Sequence, residues 1–307
     1  MKRLRFVVSL ITDDNDYQRQ QAVAAQDAGT QLDVDVRTLF ADNDSIHQSQ
    51  QILDVIHGRD GIDGILVEPA GRTAFPQAAG AAVASGRAWV VLNCEPDYLK
   101  QLRSGGNVPA FSVSADNHEI GRIQGRQLRA LLPDGGLVLY LQGPSMNLVT
   151  EQRTAGMLET KPESVKVRIL KSVSWAEEGG YHAIAAWLRL STARNEQIDV
   201  VQAHNDSLAV GARRAIEDQA GGHRNHKSRL LFLGVDGLPR TGQAWVRQGI
   251  LTATIVVPAV TPQALGALVA AIRGGTSQPE CTRVAPTSFP EPSQLEVKSI
   301  RHERESI

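Results

Sequence analysis

The chain has 307 residues, 42% of them hydrophobic and 21% charged, which is longer than one core of ordinary size supports, so two domains are expected. Lys and Arg number 32 against 33 Asp and Glu, a net charge of −1. That balance supplies no basic face of the kind a nucleic-acid binder uses to displace counterions. Two cysteines, Cys94 and Cys281, cannot form a disulfide framework and leave the redox compartment open.

Met1-Lys2-Arg3-Leu4-Arg5 begins like an export leader. The apolar run after it is shorter than the ~7–15 residues such a leader needs, and it meets Asp13-Asp14 with no small-residue cleavage site. It reads as a first strand, and the chain as it stands reads as cytoplasmic; a leader upstream would make it periplasmic. Further short runs rich in Val, Ile and Leu predict strands over 4–11, 32–39, 64–67, 89–93, 110–113, 137–141, 165–170, 198–202, 230–235 and 253–257. Longer Ala-rich or amphipathic stretches predict helices over 22–28, 46–57, 78–85, 120–132, 151–157, 180–190, 208–219, 241–248 and 262–272. The charge-free stretch 248–272 is nominally long enough to span a bilayer, but Pro258 and Pro262 divide it into a strand and a helix.

Continuous apolar strands alternating with helices predict parallel sheets covered on both faces, here two doubly wound sheets of five or six strands each. Pro133-Asp134-Gly135-Gly136 marks a turn, although the pattern alone does not place the seam between domains. Residues 286–292 read as a surface strap and the charged residues after them as a frayed end.

Parallel open sheets bind ligands beyond the carboxyl ends of their strands. The residues there are Asn15 and Tyr17, Glu68, Asn93 with Cys94, Asp116-Asn117, Gln142-Gly143 with Arg153, Trp175, His204-Asn205-Asp206 and Asp236. Amides, carboxylates, a guanidinium and aromatic rings suit a polyhydroxylated ligand, whose hydroxyls donate and accept while its C–H face stacks on a ring. Asp and Asn in these places also cap the helices that follow.

The order of motifs resembles the type I periplasmic sugar-binding proteins (ribose- and galactose-type), which share their core with the effector domains of the lac repressor family. It is carried by Ser114-Ala115-Asp116-Asn117 with Gly121 and Gly125, by Leu141-Gln142-Gly143 with Arg153 and Gly156, and by Asn205-Asp206-Ser207-Leu208-Ala209-Val210-Gly211-Ala212. Gly234-Val235-Asp236-Gly237 and Leu251-Thr252-Ala253-Thr254-Ile255 before Pro258 complete it. The resemblance implies two Rossmann-like lobes joined by a three-segment hinge, one of residues 1–116 with 257–284 and the other of residues 117–256 with 285–307. It also implies a ligand in the interdomain cleft, with closure around it as the output. It assigns Arg153 to ring or hydroxyl oxygens, Trp175 to stacking, and Asn205 and Asp236 to hydroxyls. Asn15, Tyr17, Glu68 and Asn93 complete the expected set. The first lobe departs from the family pattern: one of two stacking rings is missing beside Tyr17, Glu68 replaces an asparagine, Asn93-Cys94 replaces an aspartate-arginine pair, and Val256 or Val257 replaces a glutamine. Two or three such changes can re-specify the ligand, so neither ribose nor galactose is assigned.

Two rival readings have weaker support. A metal-dependent phosphatase or phosphotransferase would use Asp14 and Asp16, but Gln18 stands where a Thr or Val is needed and the expected lysine and late acidic pair are missing. A ligand-sensing regulator would carry a helix-turn-helix ahead of strand one, where there is no room, and would act through a protein partner. No P-loop, G-x-G-x-x-G or G-x-S-x-G occurs. Cys94 reads as an inert buried thiol, His223 and His226 as part of a polar connector, and Trp89, Trp187 and Trp245 as core. His204 fits either the binding site or the core. The expectation is a non-enzymatic binder of a sugar or sugar-like polyol, monomeric, with no cofactor, metal or nucleic acid. Its expected protein partner is an ABC transporter permease or a sensor kinase.

Overall fold

The computed structural model describes residues 2–71, 73, 75–105, 108–144, 148–190, 196–219 and 230–295. Its elements begin with β1 (Arg5–Leu10), α1 (Asp16–Gln31), β2 (Asp35–Phe40), α2 (Ser45–His57), β3 (Gly64–Val67), α3 (Pro76–Ala84), β4 (Ala88–Leu92), α4 (Tyr98–Gly105) and β5 (Ala110–Ala115). There follow α5 (Asn117–Leu131), β6 (Gly136–Gln142), α6 (Leu148–Thr160), β7 (Val165–Lys171), α7 (Glu177–Leu188), β8 (Val200–Ala203), α8 (Asp206–Gln219), β9 (Leu231–Leu233) and α9 (Gly242–Arg247). The chain closes with β10 (Thr254–Val256), α10 (Thr261–Gly274), β11 (Cys281–Val284) and β12 (Thr287–Phe289). It divides into unit 1, Met1–Ala115 with Pro258–Val284, and unit 2, Asp116–Val257 with Ala285–Ile307.

Unit 1 is a six-stranded parallel sheet in the order β11-β5-β4-β3-β1-β2. Strand alternation decides which side chain faces which helix layer. Phe6, Val8 and Leu10 point to the layer of α1 and α10, where Ala25, Ala28, Ala264, Leu265 and Leu268 meet them. Val7, Ile65, Val67, Trp89 and Val91 point to the opposite layer, against Ile52, Val55, Ala79 and Leu99. Gln21 joins α1 to the start of α10, its Oε1 accepting from the Val260 and Thr261 N–H groups at 3.2 and 3.1 Å.

Unit 2 has a four-stranded parallel sheet in the order β7-β6-β8-β9, extended by parallel bridges Leu233–Ala253 and Asp236–Val256. Val138, Tyr140, Val200 and Leu233 pack on Leu128, Leu131 and Met157 from α5 and α6. Leu139, Leu141, Val201 and Phe232 pack on Ile184, Trp187, Leu208 and Ala212 from α7 and α8.

The structure corrects the sequence reading in four places. The second sheet has four strands, not five or six, because β10 is only three residues long and pairs antiparallel with β12. The strap at 286–292 contains β12, and Leu295 beyond it is fully buried in the unit 2 core. β11 is an unforeseen edge strand; Arg283 fixes it with a bidentate ion pair to Glu95, both contacts at 2.7 Å. α4 was also unforeseen, since it buries little beyond Leu99. Stretch 248–272 divides into β10 and α10 as expected, and no helix among the described residues is long and apolar enough to cross a membrane.

Candidate functional site

In both sheets a strand's successor in the chain crosses to its other side at one point, between β1 and β3 in unit 1 and between β6 and β8 in unit 2. Open parallel sheets usually bind ligands beyond their carboxyl ends at such a point. The expected residues fall at these ends.

In unit 1, Tyr17, Glu68 and Asn93 come together. Asn93 Nδ2 donates to the Tyr17 hydroxyl at 3.3 Å and to Glu68 Oε1 at 3.1 Å, while its Oδ1 accepts from the Ala115 N–H at 3.1 Å. Glu68 and Asn93 are buried. Asn15 caps α1, its Oδ1 accepting from the Gln18 N–H at 3.1 Å and its Nδ2 donating to Asp14 at 3.1 Å. A separate groove of about 360 Å³ between α2 and α3, lined by Ile46, Leu53 and Phe75 among others, includes none of these residues.

In unit 2, Arg153, Trp175 and Asn205 come together. Arg153 is buried; its Nε donates to Asn117 Oδ1 at 3.1 Å and its Nη1 to the His204 carbonyl. Asn205 Nδ2 donates to the Trp175 carbonyl at 2.8 Å, and its Oδ1 accepts from the Leu208 N–H at 2.8 Å, so it holds the Trp175 loop and caps α8 at once. Asp236 is buried at the end of β9, bridged to Val256. Val256 and its neighbour Val257 keep apolar the position where the resemblance expects a glutamine.

Asn93 and Asp236 follow the fourth strand of their respective sheets, and both have positive φ, 53° and 113°. Asn tolerates that region; for Asp236 the conformation costs of order 1–3 kcal/mol and is imposed by its surroundings.

Four strand-end residues to which the sequence assigned no ligand contact also build this region: Asn117, Gly143, His204 and Asp206. His204 is fully buried. Gly143 N–H donates to its Nδ1 at 3.3 Å, so Nδ1 carries no proton and Nε2–H donates to the Tyr140 hydroxyl at 2.9 Å. Tyr140 in turn donates to Gln124 Oε1 at 2.8 Å. Of the two readings left open, the core histidine is the one observed.

Burial first, and the Arg153 charge second, hold the His204 imidazole well below its ordinary pKa. The folded state therefore keeps it neutral while the unfolded chain takes up a proton below pH ~6.5. Stability is complete above that pH and falls as pH drops, approaching about 1.4 kcal/mol per pH unit for a single such group. Chemical denaturation between pH 7 and pH 5 should show this slope in the wild type, reduced in His204→Gln. The Glu95 carboxylate, held low by the Arg283 hydrogen bonds, adds its own loss only below its ordinary range. An equal slope in both proteins would contradict the assignment.

The other readings resolve simply. Asp16 pairs with Arg19 at 2.7 Å, and Asp14 accepts from Asn43 at 2.9 Å. Among the described residues no group of three His, Cys, Asp or Glu stands together as a metal site. Burial pushes the Cys94 thiol up to about 11, an unreactive state. Trp89 and Trp187 are core, and Trp245 packs partly buried against the unit 2 core. His223, His226, residues 145–147 and the charged tail beyond 295 lie outside the described residues.

A family model described as periplasmic binding protein domain matches residues 6–275. The D-allose-binding periplasmic protein of Escherichia coli (strain K12) is 26% identical over 267 residues, covering 85% of this chain and 81% of that protein. Among solved structures, a galactofuranose binding protein aligns with a TM-score of 0.82 at 20% identity, covering 98% of this chain and 99% of that one. A Caulobacter myo-inositol binding protein aligns with a TM-score of 0.80 at 20% identity, covering 96% and 95%.

Proposed function

The chain belongs to the periplasmic binding protein family, and on that premise we propose that it binds one sugar or sugar-like polyol with strand-end residues of both units and releases it unchanged. Tyr17 and Trp175 stack on the ring. Asn15, Glu68, Asn93, Arg153, Asn205 and Asp236 bond its hydroxyls, Asn15 also capping α1 beside Tyr17. The observation that carries this reading is the repetition of one arrangement in two sheets: buried polar side chains gathered at the carboxyl ends beside each crossover point. These amides, carboxylates and the guanidinium can exchange hydrogen bonds with a ligand rich in hydroxyls, which both donate and accept. The relatives named for D-allose, galactofuranose and myo-inositol support a cyclic polyol as the ligand class.

The departures in unit 1 bear on which polyol. Asn93 bonds both Glu68 and Tyr17, so hydroxyls on that side meet a carboxylate-amide pair and one aromatic ring. We propose that the hinge crossings near residues 116, 257 and 284 let the units close on the ligand, and that the closed form is what a transporter permease or sensor kinase reads. A thermal-shift screen over pentoses, hexoses, polyols and inositols tests the class: a ligand from this set should raise the melting temperature in a dose-dependent way. Arg153→Ala should then weaken calorimetric affinity for that ligand by roughly 2–5 kcal/mol, since it leaves buried acceptors unmet. No shift with any panel member would reject the ligand class. Unchanged affinity in Arg153→Ala would remove that guanidinium from the contacts.

A further inference from the structure

We infer that His204 is the positioning residue of the unit 2 half of the site, setting the Trp175 ring and the Arg153 guanidinium in register with one another. This rests on the reading that both groups touch the ligand. His204 itself acts through them.

The His204 ring lies nearly parallel to the Trp175 indole, 20° between planes with centroids 6.4 Å apart. The Tyr140 ring meets His204 edge-on at 5.0 Å, so the imidazole is braced from below. Its Nδ1 accepts from the Gly143 N–H, and Gly143 is the other half of the seat: a methyl group there would overlap three atoms of the indole ring. Imidazole and glycine thus form one platform, hydrogen-bonded together, on which the indole rests. The main-chain carbonyl of His204 meanwhile accepts from Arg153 Nη1. The next residue, Asn205, bonds the Trp175 carbonyl. Two consecutive residues therefore hold the stacking ring, its backbone and the guanidinium. A neutral ring with an in-plane acceptor is needed to do this, because an apolar side chain would leave the Gly143 N–H unmet and an acyclic amide would remove the aromatic face.

That requirement yields separable variants. His204→Asn keeps an acceptor near the Nδ1 position and loses the ring. Gly143→Ala keeps His204 whole and displaces the indole, and the nearest atoms its methyl meets belong to the tryptophan side chain, so the chain folds around it. Each is combined with Trp175→Ala in a double-mutant cycle, with affinity measured by calorimetry on the panel sugar that binds the wild type. Trp175 emission is read in the ligand-free protein by difference against Trp175→Phe, which subtracts Trp89, Trp187 and Trp245.

Positioning predicts a red-shifted Trp175 emission in both variants and an affinity loss of about tenfold. Trp175→Ala should cost far less in either background than in the wild type, because coupled residues are not additive. Unaltered emission, or additive losses, would overturn the inference. If no panel sugar binds even the wild type, the functional reading fails, while the emission arm still decides whether His204 and Gly143 seat the indole.

Discussion

Gly121→Ala is expected to destabilise the protein by about 3 kcal/mol, at the upper end of what one added methyl does in a packed interior. Gly121 lies on α5 where its backbone touches α6: a Cβ there would overlap the Arg153 carbonyl and stand 2.9 Å from the Met157 nitrogen. Gly156 on α6 answers it, its own Cβ position overlapping the His118 carbonyl. The obstructing atoms are main chain on both sides, so no rotamer change relieves the clash and the helices must separate. Packed helix axes normally stand 8–10 Å apart, and only small residues permit a closer approach. Gly180 and Gly211 repeat the device between α7 and α8, against the Leu208 and Glu177 carbonyls. Gly266 on α10 has open space at its Cβ position, so Gly266→Ala is the control and should be neutral or stabilising by up to ~1 kcal/mol. Urea unfolding of the three proteins decides it, and equal midpoints for the two alanine variants would refute the close-packing argument. Because Arg153 sits within the contact, Gly121→Ala should also weaken ligand binding beyond what its lost stability explains.

The same contact shows what the sequence discloses and what it hides. Gly121, Gly125 and Gly156 were visible as parts of an ordered series of motifs, yet nothing in their spacing says that two helices touch there. The strands were legible because buried parallel strands are continuous apolar runs, as Phe6 to Leu10 largely is. The edge strands β11 and β12 escaped because edge positions carry polar side chains such as Thr282, Arg283 and Ser288, which look like loop. Strand-end residues were legible as a class, since polar groups right after an apolar run stand where a parallel sheet binds ligands. Their individual duties were not. Asn15 and Asn205 each satisfy a helix N-terminus, and the pattern that marks a cap also marks a ligand contact. His204 was undecidable for a simpler reason: a residue at a strand end points inward or outward depending on where the strand stops, and one residue reverses the answer.

Asp206 illustrates that reversal with measurable consequences. It opens α8 beside Asn205, yet its carboxylate turns into unit 2, where Oδ2 accepts from the Gly237 N–H at 2.8 Å and Oδ1 from the Thr254 hydroxyl at 2.6 Å. Its own N–H donates to the Val235 carbonyl at 2.6 Å. One side chain thus ties the start of α8, the turn after β9 and strand β10. Gly234 and Gly242 are glycines because a Cβ on either would overlap this carboxylate. The turn it grips carries Asp236 at a φ of 113°, so the tie helps hold the strained residue proposed to meet the ligand. Asp206→Ala leaves two buried donors unmet, and at about 1–3 kcal/mol each the loss should total about 2–6 kcal/mol. Asp206→Asn keeps one acceptor in place and should lose roughly half as much. Guanidinium unfolding gives the stabilities, and calorimetry on the alanine protein should show weakened ligand affinity as Asp236 relaxes out of its left-handed conformation. A loss below about 1 kcal/mol for alanine, or asparagine as damaging as alanine, would mean that the turn is held by other contacts.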